Sequence, residues 1–168
     1  MEKNIMKHTV KLLLETVYNE FSTRMVGRFT IAELARLAEV NRGTIYNNIG
    51  TIEQVYQLVF EEFILKPVTQ GCDTFEDAIN RFIDYVIENR TFCMNMYFCT
   101  AFMLRHQDAL NLLEKLLLRY HSKKNSNDRG ELISAYVKII EGWFVAELSE
   151  SGENIKRQLA YYHKDIAE

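Results

Sequence analysis

The sequence predicts an all-α protein of about nine helices, with a three-helix helix-turn-helix head at the N-terminus and a larger helical body. Apolar residues recur every three or four positions along most of the chain, and no stretch alternates as a strand does. A single proline and seven glycines in 168 residues leave long segments free of helix breakers. We therefore divide the chain into a head over residues 1–52 and a body over residues 53–168.

The first helix is predicted over residues 5–22, where apolar side chains keep the spacing of one buried face. Gly27 lies in the loop that follows, and Phe29 precedes the next helix start. Near the end of the head, Thr51 is positioned to cap a fourth helix, and Pro67 and Gly71 mark the end of that helix. Further helices are predicted over residues 74–90, 92–104, 107–121, 130–149 and 153–165. The polar stretch 123–128 is predicted to be a loop.

Residues 30–53 carry the pattern of two short helices joined by a tight turn. Thr30 can cap the first helix and form a capping box with Glu33. Small apolar residues follow at helical spacing, and Val40 lies just past the turn. Asn41 can cap the second helix, from which Ile45 is expected to point inward. This order of small residues, turn, valine, cap and isoleucine is typical of a helix-turn-helix.

These residues resemble the signature of the TetR family of bacterial transcription regulators. The Gly43-Thr44-Ile45-Tyr46 run, followed by Thr51 and Glu53, is the most specific part of the resemblance. Other matching positions, some of them conservative changes, are Thr30, Leu34, Ala35, Ala38 and Val40. The resemblance covers the first third of the chain, and it implies a TetR-like fold and a DNA-binding regulator, a repressor that works as a homodimer.

A recognition helix over about residues 42–49 would enter the major groove of DNA, which admits one helix and exposes base edges to it. Arg42 lies in its first turn, where its side chain could meet a guanine edge or a phosphate. The resemblance implies contacts from Tyr46 and the two residues that follow it, and a phosphate contact from Thr30. The predicted DNA-binding set is Thr30, Arg42, Gly43, Thr44, Tyr46, Asn47, Asn48 and Thr51.

Three residues depart from the family signature. Glu39 stands where glycine is usual, at a position that often needs a left-handed backbone, which costs a residue with a Cβ about 1 kcal/mol. Ile52 replaces a lysine, which removes a phosphate contact, and Asn48 replaces a histidine. These changes leave a second interpretation open: a TetR-like protein coactivator that has lost DNA binding.

Composition sets further limits. The head holds seven Lys or Arg against five Asp or Glu, a net charge of +2, whereas the rest of the chain carries −5. The excess of positive charge therefore lies where phosphate would be met. The N-terminus lacks a signal-peptide pattern, and no uncharged segment is long enough to span a membrane. The odd count of three cysteines, without a C-x-x-C pair, suits a reducing compartment. We expect a cytoplasmic protein.

The last two helices are the predicted dimer surface, because a small helical body cannot easily cover their bulky side chains. The set is Leu132, Tyr136, Ile140, Trp143, Phe144, Leu159 and Tyr162. The alternative is a core within one chain that hides all of them. A twofold dimer would place two reading helices on successive turns of a palindromic operator.

The helix over residues 92–104 is the candidate site for a small apolar effector, which the resemblance implies, because methionines and aromatic residues line adaptable pockets. The set is Phe92, Met96, Tyr97, Phe98, Phe102, Met103 and His106. Residues of this kind at helical spacing also form plain core.

We expect no cofactor: a metal site from Cys99, His106 and His121 is conceivable, but a buried thiol and surface histidines are the better interpretation. No phosphate-binding loop or nucleophile–base spacing points to an enzyme.

Overall fold

The computed structural model describes residues 2–100, 106–120 and 126–167, with side chains over residues 7–99, 113–120 and 129–162. Every regular element within these ranges is helical, which confirms the predicted all-α fold class. The α-helices are α1 (Glu2–Thr23), α2 (Ile31–Leu37), α3 (Arg42–Asn48), α4 (Ile52–Phe60), α5 (Lys66–Thr69), α6 (Phe75–Glu88), α7 (Arg90–Thr100), α8 (His106–Tyr120), α9 (Ser126–Val145) and α10 (Gly152–Ala167).

A π-helical segment, Glu61–Leu65, joins α4 to α5 without a break. The described residues therefore form nine helical rods when residues 52–69 are counted once. Ser126–Asp128 begin α9, so the second half of the predicted 123–128 loop is helical. Residues 123–125 lie outside the described residues. Within the described ranges, no helix is long and apolar enough to cross a membrane.

The chain divides into two compact units. One comprises Met1–Pro67 and Asn89–Ala101, and the other comprises Val68–Glu88 and Phe102–Glu168. Helix α7 therefore packs with the N-terminal helices although it follows them by twenty residues or more. The predicted boundary at residue 52 stays a prediction.

The first unit is held by α1, which packs against α2, α3, α4 and α7. Leu13, Val17 and Phe21 on α1 are fully buried, as their spacing predicts. Tyr18 stacks on Phe63 of the π-helical segment, with ring centroids 4.4 Å apart, and meets Phe92 of α7 edge-on at 4.9 Å. An aromatic cluster thus joins three elements of this unit.

The π-helical segment shifts the buried face of this helical rod by one residue. Ile64 is buried and Phe63 is half-buried. Val55, Val59 and Ile64 are buried at steps of four and then five residues. A five-residue step fits a π-helical turn, whose hydrogen bonds span five residues, so the segment keeps the apolar side chains on one face.

The second unit contains α6, α8, α9 and α10. Phe75 of α6 packs on Tyr136 of α9 with ring centroids 5.6 Å apart, and both side chains are buried. An ion pair between Asp84 and Lys156 links α6 to α10, and its hydrogen bond raises the pKa of the lysine. The Trp143 indole N–H donates to the backbone carbonyl of Glu150 over 3.0 Å, which secures the turn between α9 and α10.

Helix α2 ends in a Schellman motif with a left-handed residue. Glu39 has a φ of 54°, its N–H donates to the Arg36 carbonyl, and the Val40 N–H donates to the Ala35 carbonyl over 3.0 Å. The left-handed backbone predicted at Glu39 is confirmed. A residue with a Cβ is strained in this conformation.

Replacing Glu39 with glycine is therefore expected to stabilise the protein by about 1 kcal/mol, because glycine adopts a positive φ without the Cβ penalty. The free energy of unfolding in urea measures the effect. Glu39→Ala keeps the Cβ and removes the charge, so it should stay within about 0.5 kcal/mol of the parent. Equal stabilisation by both variants would assign the gain to charge instead.

Candidate nucleic-acid interface

Three side-chain caps define the helices of the candidate interface. The Thr30 hydroxyl accepts from the Glu33 N–H at 3.3 Å at the start of α2, and the Asn41 side chain accepts from the Thr44 N–H at 2.8 Å at the start of α3. Both caps confirm the sequence prediction. Thr51 caps α4, also as predicted.

The reciprocal capping box predicted at Thr30 is found instead at Thr51. The Gln54 N–H donates to the Thr51 hydroxyl, and the Gln54 side-chain oxygen accepts from the Thr51 N–H at 2.9 Å. The Thr-x-x-Gln spacing of residues 51–54 is the sequence signal for this box. The Thr51 side chain also hydrogen-bonds Glu53 and lowers the pKa of that carboxyl, so a negative charge lies at the start of α4.

Helix α3 presents one face to solvent and buries the other. Ile45 is completely buried, as predicted, whereas Tyr46 is 56% exposed. Arg42 and Asn47 are also exposed. Within the described part of the chain, Arg42 makes no ion pair. The outer face of α3 therefore offers a guanidinium, a phenol and an amide to a partner.

Other members of the predicted set are engaged within the protein. Asn48 is half-buried and its side-chain N–H donates to the Thr44 carbonyl over 2.7 Å. The Thr44 hydroxyl donates to the Asn41 side chain at 3.1 Å. Gly43 is exposed, but a Cβ there would lie 3.1 Å from the Asn41 side-chain oxygen, so the small residue gives the α3 cap its room.

The effector set divides between core and surface. Phe92 and Met96 are buried in the first unit, Tyr97 is half-buried, and Phe98 is 48% exposed. Phe102, Met103 and the His106 side chain lie outside the described residues, as does His121 of the metal alternative. A groove of about 430 Å³ runs along α1 and the π-helical segment, and its lining contains none of the predicted effector residues.

The thiols of α7 are protonated. Burial raises the pKa of Cys93 to about 12. Burial also raises the pKa of Cys99. Both side chains therefore serve as packing groups at neutral pH rather than as reactive thiolates.

Burial corrects most of the predicted dimer surface. Leu132, Tyr136, Trp143, Phe144 and Leu159 are each at most 7% exposed within the single chain. They belong to the core of the second unit, which is the alternative that the sequence left open. Ile140 is half-buried and Tyr162 is 42% exposed, and the neighbouring Tyr161 is 66% exposed. Those side chains are the part of the two helices that a partner could touch, and dimerisation itself stays a prediction.

No family model matches the chain, and no curated protein matches it. Among solved structures, the chain is similar to that of a protein named "Dihydroxyacetone kinase operon activator DhaS". The TM-score is 0.63 at 13% sequence identity, and the match covers 95% of this chain and 96% of that chain. The likeness extends over both compact units. At this identity it shows the fold alone.

Proposed function

We propose that this chain is a DNA-binding transcription regulator of the TetR type. It binds a palindromic operator as a homodimer, acts as a repressor, and leaves the DNA when a small apolar ligand binds. The solvent-exposed face of α3, with Arg42, Tyr46 and Asn47 outward over a completely buried Ile45, carries this proposal. The structurally similar protein is by its name an operon activator, which supports transcription regulation as the functional class.

The chemistry of the exposed face suits DNA. An arginine reads guanine edges through two parallel hydrogen bonds or pairs with phosphate, and tyrosine and asparagine supply phosphate or base contacts. Thr30 and Thr51 stand at helix starts that flank α3 in the sequence, and each carries a hydroxyl. One head makes few contacts, so two heads on two half-sites are needed for specificity.

The proposal is tested by electrophoretic mobility shift with genomic fragments, the chain's own promoter among them, at low salt. We expect at least one fragment to be retarded, with an affinity that falls steeply as salt rises because counterions are released from the phosphates. Retardation of no fragment would contradict DNA binding. A promoter–reporter assay with and without the protein then separates a repressor from an activator.

Tyr46→Ala is expected to weaken binding to the retarded fragment by about tenfold or more, which is about 1.4 kcal/mol. The side chain is exposed, so its removal should leave the fold intact. Leu118→Ala is the control, since it removes an exposed apolar side chain from α8, outside both α3 and the candidate dimer surface. Equal affinity of the two variants for the DNA fragment would show that Tyr46 is not part of the interface.

The second function, a coactivator without DNA binding, is favoured by two observations on the reading side. The Asn48 amide, where the family has histidine, is committed to the Thr44 carbonyl. Ile52, where the family has lysine, brings no charge to the start of α4. Co-purification with one protein partner, together with no salt-dependent binding to nucleic acid, would select this function.

The ligand is sought by a thermal-shift screen of small apolar compounds against the DNA complex. A compound that binds the free protein should raise its melting temperature and release the DNA. Phe98 and Tyr97 are the members of the predicted effector set that reach the surface of the described chain.

A further inference from the structure

The polar side chain of Asn95, on helix α7, is completely buried. Its amide makes three hydrogen bonds to backbone about seventy residues earlier in the chain. The side-chain oxygen accepts from the Val26 N–H at 2.7 Å, and the side-chain nitrogen donates to the carbonyls of Phe21 at 2.8 Å and Arg24 at 2.7 Å. Both amide hydrogens and the oxygen are therefore used.

The three partners fix the orientation of this amide. Two carbonyl oxygens need donors and one N–H needs an acceptor, so a flipped amide would oppose like groups on every side. Phe21 lies in the last turn of α1, whose carbonyls have no partner within the helix. Asn95 thus closes the end of α1 and the first residues of the loop that follows.

The other end of the same loop is fixed by α4. The Tyr56 hydroxyl donates to the Phe29 carbonyl over 3.2 Å, and both side chains are buried. Gly27 and Arg28, between these anchors, are exposed. Thr30 follows directly and caps α2. The loop is therefore held at its first residues by α7 and near its end by α4, just before the residue that caps α2.

We propose that Asn95 is a positioning residue for the helix-turn-helix. By holding residues 24–26 it fixes the direction in which the chain enters α2, and thereby the placement of α2 and α3 on α1. The inference rests on the proposed function for its effect on DNA, but the contact itself does not depend on it. Helix α7 is in this sense a part of the head, although it lies outside residues 1–52.

The test compares Asn95→Leu, which keeps the branched side-chain shape and removes all three hydrogen bonds, with Leu159→Ala. Leu159 is buried in α10 of the second unit, so its truncation lowers stability without touching the loop. Affinity for the retarded fragment is measured at a temperature where all three proteins are folded. We expect Asn95→Leu to lose about tenfold in affinity. Leu159→Ala should stay within about twofold of the parent.

Amide hydrogen exchange distinguishes a local loss of protection around the loop from a general loss of stability. In Asn95→Leu, exchange should become faster over residues 24–48 and stay unchanged in α9 and α10. The proposal is overturned if folded Asn95→Leu binds with the parent's affinity, or if both variants lose affinity and protection alike. Should Asn95→Leu fail to fold, Asn95→Ser, which replaces the amide with a single small hydroxyl, takes its place in both measurements.

The two proposals fail in different ways. If the parent protein retards no fragment, the proposed function fails, and hydrogen exchange alone decides on Asn95. Faster exchange confined to residues 24–48 then supports the positioning role. Unchanged or uniformly faster exchange overturns it.

Discussion

Asn95→Asp is expected to destabilise the protein by about 3–5 kcal/mol at neutral pH, although the two side chains have the same shape. A carboxylate cannot donate, so the carbonyls of Phe21 and Arg24 would lose their donors and face a negative charge instead. The site is completely buried, so water cannot replace the lost partners. Urea denaturation followed by circular dichroism measures the change.

The pH dependence of the stability of Asn95→Asp gives a second, independent test of this prediction. Burial among carbonyl oxygens raises the pKa of the new carboxyl in the folded state above its unfolded value. The folded state then binds the proton more tightly, so stability should rise as pH falls from neutral towards the unfolded value. The protonated acid can also donate to one carbonyl.

Asn47→Asp is the matched control for this prediction, because Asn47 is exposed on α3. It should change stability by no more than about 0.5 kcal/mol at either pH. Similar losses in the two variants would mean that the buried hydrogen bonds of Asn95 contribute nothing particular to the fold.

Gly50→Ala is the second large effect, with an expected loss of about 3 kcal/mol. Gly50 has a φ of 118°, which L-residues rarely adopt, and an added Cβ would lie 2.0 Å from the Gln54 side-chain oxygen. That oxygen accepts from the Thr51 N–H, so displacing Gln54 breaks the capping box of α4. Backbone strain and a lost cap therefore act together.

Substitutions at two other glycines distinguish backbone strain from the loss of the cap. Gly71 has a φ of 72° and open space around it, so Gly71→Ala should show strain alone, about 1 kcal/mol. Gly27 has neither a positive φ nor a neighbour within 4 Å, and Gly27→Ala should change the unfolding free energy by less than about 0.5 kcal/mol. If Gly50→Ala cost no more than Gly71→Ala, contact with Gln54 would be unimportant.

The local features of this protein could be predicted from the sequence because their causes lie within a few residues. Caps at Thr30, Asn41 and Thr51, the inward Ile45 and the left-handed Glu39 each depend on one side chain and the adjacent turn. The π-helical segment could not be predicted from a spacing of three and four residues, which holds only for a regular α-helix. The step of five from Val59 to Ile64 is its signal.

Features that depend on distant partners could not be predicted in this way. In the sequence Asn95 only interrupts an apolar helix, because its three backbone partners lie 69–74 residues away. Tyr136 and Trp143 were predicted to form a dimer surface because bulk and hydrophobicity show that a side chain must be covered, but not by what. The same ambiguity applies to Phe92 and Met96: both side chains are buried, and their place in an effector pocket stays a prediction.

The discontinuity of the first unit has a consequence for protein synthesis. A nascent chain that has left the ribosome as far as residue 88 already holds every helix that would read DNA, yet it lacks the amide that closes the end of α1. Only when α7 emerges can that amide reach Phe21, Arg24 and Val26. The N-terminal helices are therefore synthesised first but gain their last backbone hydrogen bonds only after α7 has been synthesised. In that interval the end of α1 and the loop after it are accessible to chaperones and proteases.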